Sequence, residues 1–397
     1  MTLLKRLGIN VLRQLFKLVD WLTPKNNRRV IFSQNKGRYS DNSRALFEYM
    51  SEHCADFDAI WLANTAAQAK IIAQLNPHYH VVSRYSWHGI IGALTARLAV
   101  MSHGSGDFGL LCFSRRTRLI MLWHGVAVKR YGVLDQKNNS RKLIKQCRKE
   151  TASYHKVIAC SEIDAYLASA CLGIDAEKVC VTGYPRNDAL FSTTHSLQSV
   201  WQDNDQAQQL AGKKIVLYAP TFRDVGTTEF FPFADFNKAE LEAALNKLNA
   251  VLLVRPHPND NKSRQLLLDT FAGSSVVKLC DNTMLPDLAE LLPVVDCIVT
   301  DYSSVYIDLL IKDVPCIFIP YDLEHYQQSR GLAYDYNLIT PGAKVSSQTD
   351  FLTELNLVLS GAQHNVLQRN FAKRFFHKYA DGNSCQRVAN MLASLVK

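Results

Sequence analysis

The chain has 397 residues, 47% of them apolar, and a formal net charge of +9. That length suits two domains of ordinary size, and the composition excludes a disordered or fibrous chain. The positive charge points to an anionic partner: nucleic acid, a phosphorylated substrate or an acidic membrane surface.

The first element in chain order is an N-terminal helix. Its charges recur at Lys5, Arg6, Arg13 and Lys17, which argues against a signal peptide and a membrane-spanning helix of about 20 apolar residues. At about 100° per residue, Leu4, Leu7, Val11, Leu15, Leu18 and Leu22 share an arc of roughly 80°, with Arg6, Arg13 and Lys17 opposite. Trp21 ends the segment, and Lys25, Arg28 and Arg29 follow. Two readings fit: a basic amphipathic helix lying in the headgroup plane of an anionic bilayer, or an ordinary surface helix packed on the core.

Short apolar runs then alternate with helical stretches: "RRVIFSQ", "FDAIWLA", "YHVVSRY", "RLAVMSHG", "RLIMLWHG", "HKVIACSE" and "EKVCVTGYP". A polar stretch at 192–214 is the candidate domain boundary. The alternation restarts with "KKIVLYAPTF", "AVLLVRPHP", "SVVKLCD", "DCIVTDYS" and "PCIFIPYD", and the chain ends in two helices broken near Asp381-Gly382. This is the pattern of parallel sheets covered by helices, in two α/β halves. The ten cysteines form no CxxC pair and read as reduced thiols of a cytosolic protein.

In open α/β sheets ligands bind beyond the C-terminal strand ends. Those ends carry Gly37 to Asn42, Ser102-His103-Gly104, Trp123-His124-Gly125 with Lys129, and Gly183 to Asp188. In the second half they carry Ala219 to Arg223, Arg255-Pro256-His257-Pro258 and Asp301-Tyr302-Ser303-Ser304. A helix starting near Ser303 would offer free N–H groups to a diphosphate; equally, Ser303 would simply cap that helix. Arg255 and His257, stiffened by prolines, suit a diphosphate or a leaving group, or local hydrogen bonds. His124 suits a general base on an incoming hydroxyl, or a structural histidine. No P-loop, GxGxxG, HExxH or GxSxG signature occurs, and no spacing suggests a metal site.

Taken together, "RYSDNSRALFEY", "WHGVAVKRYG", "TGYPRND", "YAPTFR", "RPHP", "VTDYSSVYIDLLIKDVPCIFIPYDLEHY" and "RGLAYDY" resemble the CDP-glycerol:glycerophosphate glycerophosphotransferase family, the teichoic-acid primases and polymerases. The resemblance implies a GT-B-like α/β fold, two Rossmann-like domains facing across a cleft, behind an N-terminal amphipathic helix. The expected division is a membrane-associating segment at 1–29, an acceptor domain at 30–195 and a CDP-donor domain with C-terminal helices at 213–397. It implies transfer of glycerol phosphate from CDP-glycerol to a hydroxyl of a lipid-linked or glycerol-phosphate acceptor, with release of CMP. The product is a teichoic-acid-like, capsular or other surface polymer. CDP-ribitol and a nucleotide sugar are the alternative donors.

The resemblance further implies His124 as base and His257 at the donor diphosphate. Arg223, Arg255, Asp301, Ser303 and Ser304 are expected on the donor side. Ser40, Asp41, Asn42, Lys129 and Arg186 are expected on the acceptor side. It calls for no cofactor or metal and no nucleic acid, and for peripheral attachment to the cytoplasmic face of an anionic membrane. The family often reads His-Gly-Thr-Pro-Leu-Lys where this chain has His124-Gly125-Val126-Ala127-Val128-Lys129, a departure that bears on the acceptor. A non-catalytic basic protein is the remaining alternative; strand-end clusters of His, Arg and Ser argue against it.

Overall fold

The structure is a computed structural model and describes residues 3–34, 38–135, 140–192, 208, 210–223, 228–257 and 260–396, without the side chains of 3–7. Gly37, Pro258, most of the boundary stretch and the side chains of Leu4, Lys5, Arg6 and Leu7 therefore lie outside the described residues.

The apolar runs form two all-parallel sheets. The first holds β1 (Asn26–Phe32), β2 (Asp58–Ala63), β3 (His80–Ser83), β4 (Ala96–Met101), β5 (Arg118–Met121), β6 (Tyr154–Ala159) and β7 (Val179–Val181), in spatial order β3-β2-β1-β4-β5-β6-β7. The second holds β8 (Lys214–Tyr218), β9 (Ala250–Val254), β10 (Val277–Leu279), β11 (Cys297–Thr300), β12 (Cys316–Phe318) and β13 (Ala343–Lys344), in order β10-β9-β8-β11-β12-β13. Every residue of β9 is buried, as a strand covered on both faces must be, so it reads as a continuous apolar run rather than an alternating one. The two-residue β13 is too short to leave such a run, and the sequence reading does not contain it.

Both orders are doubly wound, and each sheet has one switch point, β1/β4 in the first and β8/β11 in the second. Connections leave in opposite directions there and open a crevice. The residues after β1, β4 and β5 therefore converge on one crevice, and those after β8, β9 and β11 on another. This is the two-sheet, cleft-centred architecture that the resemblance implies.

The final helix, Ser384–Val396, returns to the first half. Its Ser384 and Cys385 amides donate to Asp188 at 2.9 and 2.7 Å, and it packs on the helix Asp41–His53. The last helix thus braces the first half, although its position in the chain groups it with the second.

The N-terminal helix α1 (Leu3–Leu22) docks by its polar and aromatic side. Arg13 donates to Gly109 O at 3.0 Å, and Phe16 packs edge-on against Phe113. Asp20 is fully buried, accepting from Ser114 N at 2.8 Å and pairing with Lys25 at 2.5 Å. Val11, Leu12, Leu15, Leu18, Val19, Trp21 and Leu22 all face outward and are exposed. The helix does pack on the core, but through its polar and aromatic side and not through the leucine stripe: a buried carboxylate with partners turns the stripe outward. Among the described residues no helix is long and apolar enough to cross a membrane.

Candidate active site

Two cavities meet between the sheets. One, of about 540 Å³, is lined by Gln34, Arg38, Ser40, Asp41, His103, His124, Arg186, His257, Ser303, Ser304 and Asp308, among others. The other, of about 340 Å³, runs along Trp123 to Tyr131, Pro220 to Phe222, His257, Tyr302 to Ser304 and Arg330. His124, His257, Ser303 and Ser304 belong to both, so the four residues form the junction of a two-lobed cleft.

His124 follows β5. Its Nδ1 lies 3.1 Å from Ser102 O; a carbonyl only accepts, so Nδ1 carries the proton and Nε2 keeps its lone pair. The ring stacks on His103, centroids 4.6 Å apart and planes 4° apart, with Trp123 beside it. The ring is open to the cleft but hemmed in by protein elsewhere, and that desolvation lowers its pKa against the raising effect of Asp41. His103 is pushed down to about 4, first by burial and then by His124. Two parallel imidazoles at this separation cannot both be charged, and both are neutral at pH 7. The turn that carries Ser102 and His103 is held by Asp107, whose Oδ2 accepts both amides at 2.9 Å.

Gly125 has φ +138, and a Cβ there would lie 3.0 Å from Arg186 Nη2 and 3.5 Å from Ser304 Oγ. A side chain would crowd Arg186 from the first half and Ser304 from the second and would be strained at this φ, so glycine is required.

Arg186 spans the cleft. Nη1 donates to Asp41 Oδ1 at 2.9 Å and to His124 O at 2.8 Å; Nη2 donates to Asp308 Oδ2 at 2.5 Å. Burial opposes its charge, but Asp308 and Asp41 prevail and hold it protonated. Asp41 takes positive φ, +64, and donates its amide to Asp287 Oδ2 at 2.8 Å. Burial would raise the Asp41 pKa, but Arg186 and the two histidines bring it below the usual carboxylate value.

The expected site residues divide by placement. Ser40, Asp41, Arg186, His124, His257, Ser303 and Ser304 line the cleft, and Lys129 lines the smaller lobe with its ammonium over Tyr326. Arg186 reaches the cleft with its Nη donors already committed to the bonds above. Asn42 is fully buried; its amide holds Leu122 O and Trp123 O at 3.3 and 3.0 Å, and its Oδ1 accepts Arg186 N. It positions the His124 turn and does not line the cleft.

Three donor-side residues are braces by the same criterion. Arg223 makes a two-pronged pair with Asp322 at 2.8 and 2.9 Å, meets Asp301 at 2.9 Å and gives Nη1 to Thr221 O. Arg255 spends its guanidinium on Cys280 O, Leu285 O and Asn282 Oδ1. Asp301 accepts from Thr221 N and Tyr302 N. A guanidinium at a strand end resembles a phosphate ligand in sequence, but here loop carbonyls and carboxylates have taken its donors. The helix after Ser304 is Val305–Leu309, a single short turn rather than one starting at Ser303.

Sequence reasoning missed Asp308, Asp287 and Gln34. Asp308 lies one helical turn after Ser304, so i, i+4 spacing would have placed it on the cleft side. Asp287 sits in an irregular stretch with no periodic signal. Gln34, whose Oε1 accepts both N and Oγ of Ser40, looks like one more polar residue after a strand.

Residues 15–394 match the family model for CDP-Glycerol:Poly(glycerophosphate) glycerophosphotransferase. A teichoic acid glycerol-phosphate transferase of Staphylococcus aureus is 28% identical over 390 residues, covering 95% of each chain. A teichoic acid glycerol-phosphate primase of Bacillus subtilis is 31% identical over 377 residues, covering 94% of this chain and 90% of that one. Among solved structures, the wall teichoic acid polymerase TagF superposes with TM-score 0.73 at 21% identity, covering 98% of this chain and 94% of that one. That likeness establishes the shared fold.

Proposed function

The chain belongs to the CDP-glycerol:poly(glycerophosphate) glycerophosphotransferase family, and from that premise we propose its reaction and the role of each cleft residue. The enzyme moves glycerol phosphate from CDP-glycerol to an acceptor hydroxyl in teichoic acid synthesis. The acceptor oxygen attacks the β-phosphorus. A new P–O bond forms as the bond to the bridging oxygen breaks, and CMP leaves with that electron pair. His124 Nε2 takes the hydroxyl proton. A neutral imidazole with Nδ1 tied to a carbonyl is oriented for this from the start.

His257, Ser303 and Ser304 hold the diphosphate and stabilise the charge that develops on it. Asp41, Arg186 and Asp308 keep His124 and Ser304 at a fixed separation. The observation that carries this reading is the junction: a base from the first sheet and phosphate-binding groups from the second line the same point of one cleft.

The acceptor is lipid-linked, and the enzyme attaches peripherally to an anionic membrane. The outward apolar side of α1 supports this part.

Release of CMP by purified protein from CDP-glycerol, CDP-ribitol and a nucleotide sugar, with and without a glycerol-phosphate acceptor, tests the proposal. Acceptor-dependent release from CDP-glycerol supports it. Release from CDP-ribitol alone keeps the mechanism and changes the cargo, and silence with both CDP-polyols overturns it.

A further inference from the structure

The main cavity does not end at His103. A side groove of about 460 Å³ shares His103 with it and continues past Gly104 and Ser105 to Arg13, Gln146 and Glu150. A further groove of about 490 Å³ shares Arg13, Ser105, Gln146 and Glu150 and extends along α1 to Asn10, Gln14, Lys17 and Lys149. Adjoining grooves with shared wall residues therefore run from His103, the stacking partner of His124, to the flank of the N-terminal helix.

The lining is mixed: Leu111, Phe113 and Leu119 give it an apolar part, while Arg13, Lys17 and Lys149 are cations and Asn10, Gln14 and Gln146 are amides. Arg13 is fixed where the two grooves meet by its bond to Gly109 O. Lys17 and Lys149 make no hydrogen bond or ion pair among the described residues. Glu150 turns its Oε1 to Ser105 N at 2.8 Å and Tyr154 OH at 3.3 Å. The helix Arg141–Thr151 that forms one wall also carries Arg141, Lys142, Lys145 and Arg148. At about 100° per residue Arg13 and Lys17 lie roughly opposite the outward apolar side of α1. They face the groove rather than the surface on which α1 would rest on lipid.

We propose that this groove is the acceptor track: it binds the phosphodiester or diphosphate backbone of an anionic acceptor and leads its terminal hydroxyl past His103 to His124. Arg13, Lys17 and Lys149 neutralise successive phosphates, and the amides hydrogen-bond the linking oxygens. The inference rests on the proposed glycerophosphate transfer and adds to it a path and a charge requirement.

The test uses the full chain and a fluorescent synthetic oligo(glycerol phosphate), followed by anisotropy without lipid. Lys17→Gln with Lys149→Gln is the test variant, and Lys142→Gln on the same helix is the control. The expected result is a loss of about tenfold or more in probe affinity for the double variant. CDP-glycerol affinity, control affinity and binding to anionic vesicles stay at wild-type values, and the acceptor KM rises without the donor KM. Equal probe affinity in all three proteins, or no binding by the wild type, overturns the proposal. So does a double variant that loses vesicle binding but keeps the probe, because its lysines would then serve the lipid surface. Groove-dependent probe binding without CMP release from CDP-glycerol would support the track and count against the transfer reaction, so the two failures are distinguishable.

Discussion

Arg186 in the first half and Asp308 in the second meet at 2.5 Å across the cleft, Nη2 donating to Oδ2. The same guanidinium bonds the carbonyl of His124. This ion pair, buried at Asp308 and mostly buried at Arg186, therefore helps to fix the separation of His124 from Ser303 and Ser304, beside the bond of the Asp41 amide to Asp287 across the same cleft.

Removing one partner leaves a charge without compensation. Asp308→Ala should destabilise the chain by about 3–5 kcal/mol, read by urea denaturation, whereas Asp308→Asn should cost less. Both should lower kcat more than they raise the donor KM, because His124 loses its register with the serines. Wild-type stability in Asp308→Ala would show that the pair carries no such burden.

The braces and the lining residues should separate experimentally. Arg223→Lys loses the two-pronged pair with Asp322 and should lower the melting temperature, with a smaller effect on donor binding. His257→Ala should do the reverse: ring exposure in the cleft makes it cheap for folding, and CDP-glycerol affinity should fall about tenfold or more. A donor-binding defect in Arg223→Lys without any loss of stability would return Arg223 to the donor site.

The pH profile follows from the histidines. Burial lowers His124 below its ordinary value of 6.5, and the neutral form is the base, so the acid limb of kcat/KM should lie below 6.5. Asp41 pulls that value upward, so Asp41→Asn should move the limb further down. Stability has the same sign. His103 stays neutral in the folded chain until about 4, against 6.5 unfolded, so its contribution is complete above 6.5 and is lost as pH falls toward 4. An acid limb at or above 6.5 would contradict this assignment.

The outward side of α1 predicts a surface effect. Leu15→Asp with Leu18→Asp should abolish binding to anionic vesicles while leaving the melting temperature within a few degrees of wild type. A large loss of stability would mean those leucines are covered in solution.

Much of the fold could be read from the sequence. Runs such as "AVLLV" have only one stable place, the middle of a parallel sheet with both faces covered, and their alternation with helical stretches gives two such sheets. The strand-end rule then brings forward His124, His257, Ser303 and Ser304, all four of which line the junction. Pattern alone does not tell a guanidinium that faces a ligand from one that faces a loop carbonyl. Arg223 and Arg255 look identical to ligands until Asp322, Asn282 and Leu285 are placed beside them. Asp308 and Asp287 are missed for the converse reason: they matter through contacts across the cleft, more than a hundred residues away for Asp308 with Arg186 and for Asp287 with Asp41.

The central claim is that His124 performs the proton transfer at a donor site built by the other half. Its most direct test is single-turnover CMP release from CDP-glycerol in the presence of acceptor, comparing His124→Ala with wild type and titrating CDP-glycerol against both. The expected result is a rate lower by about 10²–10⁴-fold with donor affinity unchanged. A variant that releases CMP at the wild-type rate, or that loses the donor instead, would contradict it.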